Sequence, residues 1–388
     1  MLAGTRLLAI AALLLAGILA GAQLGKIAPL VGWYREELGF SLVLSGWLTS
    51  MIGLFVALVA LPAGWAIERA GPRRTLLGSS LALSAGGLAL AFFDAPLTIL
   101  AARLVEGLGY VVLVIALPAV MSAISPPGWR ATVLAIWSCF VPVGFAVSDL
   151  LAAWMLPGIA PSIYLLAVAV AYAVAAAFGL LLLSQVPDAD ADAAGHGFDG
   201  RLSTTLTLPV VLIALSFGIW VVMTVSFFSF MPVFVAGDGA AMLMSAGAIA
   251  LLVPIGNVVA SAVVKDRDAR FVAWLGVAGL LGTVAAAWPA FGGAGPLVMT
   301  LAAGALAILG GVTGSALYAA IPLVVPRGGS VAVAIGLVAQ AGGIGTLFGP
   351  PLAGWVIERA GWPGFAAFTA AGALAAALAV APLLARRP

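Results

Sequence analysis

Apolar residues run along this chain in long blocks, separated by short breaks rich in charge, proline and glycine. A helix crosses the hydrocarbon core of a bilayer in about 20 residues, so blocks of that length predict membrane spans. The breaks predict twelve: 7–31, 42–67, 75–93, 97–125, 131–156, 161–184, 206–235, 241–264, 271–290, 295–325, 331–357 and 363–385. Several exceed the minimum, so tilt or kinks are expected. Pro118, Pro142, Pro232, Pro254 and Pro322 are the expected kink sites. The stretch from Gln185 to Thr205 carries Asp188, Asp190, Asp192, His196 and Asp199 between the sixth and seventh spans. It is too short and polar to form a core and reads as a flexible linker. The expected fold class is therefore an all-α polytopic membrane protein. A six-helix bundle over 1–184 precedes the linker 185–205, and a second six-helix bundle covers 206–388.

Composition narrows the function. With 64% hydrophobic and 8% charged residues over 388 positions, a soluble fold has too little polar surface to cover it. The formal charge of +2 is too small to point to nucleic acid. The single Cys139 excludes an internal disulfide, and the only histidine, His196, belongs to no metal-ligand cluster. The chain carries no phosphate-binding glycine loop, nucleophile–base pair or dinucleotide fingerprint. Neither an enzyme nor a cofactor or metal is expected. Arg6, an apolar run and Ala20-Gly21-Ala22 have the layout of a cleavable signal peptide. The apolar run continues through Leu30, however, and is read as a retained first span.

Lys and Arg collect in cytoplasmic loops. With the N-terminus inside, Arg6, Arg69, Arg73, Arg74, Arg130, Arg201, Lys265, Arg267, Arg270, Arg327, Arg386 and Arg387 fall on the inner side. Only Arg35 and Arg359 fall outside. This bias places both termini in the cytoplasm of a cell whose inner (plasma) membrane holds the protein. Trp33, Tyr34 and Trp154 fit an outer aromatic belt.

The loop after the second span reads Gly64-Trp-Ala-Ile-Glu68-Arg69-Ala-Gly71-Pro-Arg73-Arg74. It resembles the G-x-x-x-D-R-x-G-R-R signature of the major facilitator superfamily, with Glu68 for Asp and Pro72 for Arg. The fourth span reads Arg103-Leu-Val-Glu106-Gly107-Leu-Gly109, similar to that family's R-x-x-Q-G-x-G motif. The resemblance implies a secondary transporter that rocks two halves around a central site. It also implies a gating role for Gly64, Glu68, Arg69, Gly71, Arg73 and Arg74. The halves match weakly at a spacing of about 201 residues, where Ala101-Ala102-Arg103 meets Ala302-Ala303-Gly304. The fifth span lacks the antiporter G-x-x-x-G-P pattern and reads Gly144-Phe-Ala-Val-Ser148-Asp149 instead. The eleventh has it as Gly345-Thr-Leu-Phe-Gly349-Pro350. A second string, Gly354-Trp-Val-Ile-Glu358-Arg359-Ala-Gly361, follows the eleventh span on the outer side and reads as no inner gate.

Four ionisable residues lie inside apolar blocks, all in the first half: Lys26, Arg103, Glu106 and Asp149. A charge inside a span costs about 2.5–3.5 kcal/mol on insertion scales, so such groups pair or line a watery path. Counting at about 1.5 Å per residue puts them at similar depth, and a four-way network is expected. One reading is a structural cluster. The other, preferred here, is a site where Lys26 and Arg103 bind an anion and Glu106 or Asp149 exchanges a proton. Gln23, Tyr110, Ser226, Phe227, Tyr318 and Gln340 are the further candidate substrate contacts. The leading expectation is proton-coupled symport of a small organic anion by a monomer in the lipid bilayer. Efflux of a lipophilic compound comes second, and a non-transporting receptor or assembly protein on the same fold is the different-class alternative.

Overall fold

A computed structural model describes residues 2–126, 129–186, 202–265 and 267–385. The described part of the chain is helical, with no strand. The elements are α1 Leu2–Gly25, α2 Val31–Leu38, α3 Leu42–Ser50, α4 Leu54–Ala70, α5 Pro72–Ala89, α6 Pro96–Ile124, α7 Arg130–Trp137, α8 Phe140–Met155 and α9 Pro161–Ser184. Beyond the linker come α10 Leu202–Thr205, α11 Leu208–Ala236, α12 Ala246–Ala250, α13 Val253–Val264, α14 Ala269–Phe291, α15 Pro296–Val324 and α16 Val331–Val380. Residues 187–201, most of the expected linker, lie outside the described residues.

Local sequence explains where helices begin. Proline opens α5, α6, α9 and α15, where its missing N–H costs nothing and its fixed φ suits the first turn. Ser41, Ser245, Asp268 and Ser330 cap α3, α12, α14 and α16 through side-chain oxygens. Gly71 (φ 88°) ends α4, and Gly361 (φ 63°) breaks α16 into two arms.

Nine helices among the described residues are long and apolar enough to cross a membrane. The expected span 331–357 falls on the first arm of α16, and 363–385 on its second arm and the 3-10 turn Ala381–Ala385 that follows. The expected span 131–156 is split into α7 and α8 at Ser138–Cys139, and 42–67 is split into α3 and α4 by the 3-10 turn Met51–Gly53. Pro118, Pro232 and Pro322 sit inside continuous helices. Pro142 and Pro254 instead stand in the first turns of α8 and α13, so the helix is interrupted before each proline.

The molecule is apolar on its outside as well as in its core, and a few charged and polar side chains are enclosed within it. Leu81, Val174 and Leu301 are more than 60% exposed, while Gln23, Lys26, Arg103 and Glu106 are fully buried. In the first group of helices, α1 packs on α6, α8 and α9, and α5 packs on α6 and α9. In the second group, α11 packs on α16, α14 on α15 and α16, and α13 on α15. The groups meet where α3 and α4 run along α16, where α8 meets α12, and where the 3-10 turn Ala28–Leu30 meets α11. Phe145 on α8 lies 5.5 Å from Phe228 on α11, ring to ring. Asn257 on α13 donates to Cys139 Sγ at 2.9 Å.

Candidate functional site: a buried charge centre

The centre begins with a helix that stops. The Lys26 N–H closes the last turn of α1 on Ala22 O, and the chain then leaves the helix. Gly25 brings α1 against α8: a Cβ there would lie 2.9 Å from the Phe145 Cα. Ser148 Oγ on α8 donates to Ala22 O at 3.0 Å, adding a polar tie to the same crossing. Lys26 therefore sits at a rigidly held helix end and reaches toward α6.

On α6, Arg103 and Glu106 are one turn apart and share a face. Lys26 Nζ lies 2.7 Å from Glu106 Oε1, and Arg103 Nη1 lies 2.5 Å from Glu106 Oε2. One carboxylate thus bridges two cations, and the centre carries a net charge of +1. Gln23 completes it: its Oε1 accepts from Lys26 and its Nε2 donates to Val168 O at 3.0 Å.

Arg103 also binds main-chain oxygens. Nε donates to Leu48 O at 2.7 Å, Nη1 to Gln23 O at 2.7 Å, and Nη2 to Thr49 O at 2.8 Å and Leu24 O at 3.4 Å. With the Glu106 bond, all five guanidinium N–H groups point at protein oxygens. Those carbonyls come from the end of α1 and from α3, so Arg103 ties three helices together. They carry no side-chain signal in the sequence, which is why they were missed. Two glycines make room for the carboxylate. A Cβ on Gly86 of α5 would lie 2.6 Å from Glu106 Cγ, and one on Gly87 3.2 Å from Glu106 Oε1.

The four-way network expected from depth forms from three residues only. Asp149 is buried on α8 but is not ion-paired with Lys26 or Arg103, and its Oδ1 has no hydrogen-bond partner. It faces the second helix group instead: a Cβ on Gly247 of α12 would lie 3.2 Å from the Asp149 Cβ. Depth along the membrane normal says nothing of azimuth, and Asp149 lies on the α8 face that meets α12.

The other candidate contacts are engaged apart from the centre. Tyr110 is buried two turns beyond Arg103, with its ring 6.4 Å from Phe140. Ser226 Oγ donates to Val222 O in its own helix. Phe227 packs on Phe228 and Phe291. Tyr318 meets Phe217 edge-on at 4.9 Å, and Gln340 Nε2 donates to Leu58 O at 3.4 Å.

Of the expected gate residues, Gly64, Glu68 and Arg69 lie outside the residues whose side chains are described. Arg73 Nη2 donates to Leu183 O at 2.8 Å and to Val186 O. It thereby holds one carbonyl in the last turn of α9 and one just beyond it, where a cation also meets the negative end of the helix dipole. Arg74 is exposed. Among the described residues, no cluster of three His, Cys, Asp or Glu side chains has the arrangement of a metal site.

Comparisons with known proteins agree with this architecture. The sequence model of the Major Facilitator Superfamily matches residues 13–327. No curated protein matches the chain. Among solved structures, the human organic anion transporter MFSD10 (TETRAN) aligns with a TM-score of 0.70 at 15% identity, covering 97% of this chain and 99% of that one. A bacterial homologue of the human lysosomal transporter Spinster, inward-facing and unoccupied, aligns with a TM-score of 0.66 at 17% identity, covering 98% and 95%. The helical packing agrees with the match over residues 13–327, more than half of the sequence: the chain belongs to the major facilitator superfamily.

Proposed function

We propose that this protein is a secondary transporter that carries a small organic anion together with a proton. It has twelve spans, with both termini on the cytoplasmic side of the inner (plasma) membrane. It works by alternating access between the halves 1–184 and 206–388, joined by the linker 185–205. The observation that carries this reading is the pair of buried cations, Lys26 and Arg103, sharing the single carboxylate of Glu106. A surplus positive charge inside a membrane protein is expensive to keep, and an arriving anion neutralises it. A proton on Glu106 would release Lys26 and one Arg103 N–H at the moment an anion needs them, which links the two movements. The centre is closed to solvent in this conformation, so substrate access requires the helix groups to part. The human neighbour is an organic anion transporter, but at 15% identity that likeness carries the fold, and the anion reading rests on the charge centre.

Lys26→Met tests it. The substitution leaves Arg103 and Glu106 as a neutral pair and orphans two buried acceptors, Gln23 Oε1 and Glu106 Oε1. Removing one partner of a buried pair costs about 3–5 kcal/mol, so thermal stability should fall while the protein still inserts and remains monodisperse. Uptake of labelled carboxylates into vesicles containing the purified variant should fall more than about tenfold, the change that about 1.4 kcal/mol produces. Uptake at the wild-type rate would make the centre a purely structural cluster.

A further inference from the structure

The string Gly354-Trp-Val-Ile-Glu358-Arg359-Ala-Gly361 repeats the spacing of Gly64-Trp-Ala-Ile-Glu68-Arg69-Ala-Gly71, yet it lies at the opposite end of the molecule. Each string closes a helical segment at a positive-φ glycine, Gly361 (φ 63°) and Gly71 (φ 88°). The structure gives the second string a task. Glu358 Oε1 accepts the main-chain N–H of Leu42, the first residue of α3, across 316 positions of sequence. Ser41 Oγ of the same helix start accepts from Leu44 N at 3.0 Å. The two side chains take one amide each in the first turn of α3: Ser41, from the same helix group, takes that of Leu44, and Glu358, from the other, takes that of Leu42. A carboxylate there also meets the positive end of the helix dipole.

The approach is built for contact. A Cβ on Gly354, one turn before Glu358, would lie 2.5 Å from Leu42 O, and one on Gly46 of α3 would lie 2.6 Å from the Pro350 carbonyl carbon. Arg359 is drawn off to the Trp355 ring, 4.6 Å from its centroid, which leaves the Glu358 carboxylate to the helix. This end of α3 and α16 is the one remote from the chain termini.

We propose that Glu358 positions the transport cycle as a latch. It caps α3 from the other half when the end remote from the termini is closed, and it releases that helix when this end opens. The inference rests on the alternating-access reading above.

The test uses purified full-length protein in lipid nanodiscs, with spin labels replacing the exposed Glu37 on α2 and Leu297 on α15 in a Cys139→Ser background. Wild type should give a predominantly short distance. Glu358→Ala should raise the long-distance population about fivefold, the scale expected for a lost helix cap, with thermal stability lowered by no more than the cap itself contributes. Glu358→Gln should move it less, because the amide oxygen still accepts. Gly354→Leu wedges the same contact without touching the carboxylate and should also lengthen the distance. If Gly354→Leu opens this end and the Glu358 variants do not, the latch is overturned and alternating access stands. If no variant opens it, both fail.

Discussion

Arg103 shows how one side chain is both scaffold and charge. Its five donors join Glu106 to carbonyls from the end of α1 and from α3. Arg103→Lys keeps the charge but cannot span that set, because an ammonium is a compact point donor and a guanidinium is a planar fork. The lysine variant should lose transport almost as fully as Arg103→Ala. The alanine variant should also be less stable by about 3–5 kcal/mol, since Glu106 would lose one of its two buried partners. Uptake rates and unfolding midpoints of both variants in one detergent check this. A lysine variant that transports like wild type would show that charge alone matters. Arg103 and Glu106 were legible because their motif and i,i+3 spacing lie in the sequence. The main-chain oxygens that saturate Arg103 were not.

At the scale of elements, glycines decide how closely helices approach the charge centre. Gly86 lets α5 lie against α6 at Glu106, where a Cβ would also lie 2.7 Å from Ala102 O and 2.8 Å from Glu106 N. Two of those neighbours are backbone, which cannot step aside. Gly86→Ala should therefore destabilise by about 1–3 kcal/mol and weaken transport by displacing Glu106 from Lys26. Gly78 on the same helix has nothing within 4 Å of its would-be Cβ. Gly78→Ala should be neutral or stabilising by up to about 1 kcal/mol. Equal effects from the two substitutions, measured by thermal unfolding and uptake, would refute the packing argument. Apolar blocks and caps announced most helices. Pro142 announced the break at Ser138–Cys139, whereas the break at Gly25–Lys26 was not announced, because the apolar run continues through Leu30.

For the whole molecule, the isolated position of Asp149 is the informative result. Its carboxylate is buried where α8 meets α12, with one oxygen unpartnered, so any parting of the helix groups changes its solvation. A carboxyl group whose surroundings change with the cycle is a candidate carrier of the coupling proton. Asp149→Asn should then abolish accumulation driven by a proton gradient while sparing exchange of labelled for unlabelled solute. Glu106→Gln is the comparison for the other carboxylate. If both variants, singly and together, still accumulate solute in response to the gradient, neither acid carries the coupling proton.

The sequence by itself determined the class of this protein. Long apolar blocks, rare charges inside them and two local motifs point to one membrane architecture, because a bilayer admits few ways to satisfy a backbone. It also singled out Lys26, Arg103, Glu106 and Asp149, because a charge in an apolar run stands out without a structure. Tertiary structure alone decided their partners. Lys26 meets Glu106 across 80 positions, Asp149 turns to the second helix group, and Glu358 reaches Leu42 at the far end of another helix. Such contacts depend on which face each helix presents and on where glycines permit close approach. A one-dimensional pattern of apolar and polar positions records depth along a helix, but in helices apolar on every side it leaves the direction around the axis open.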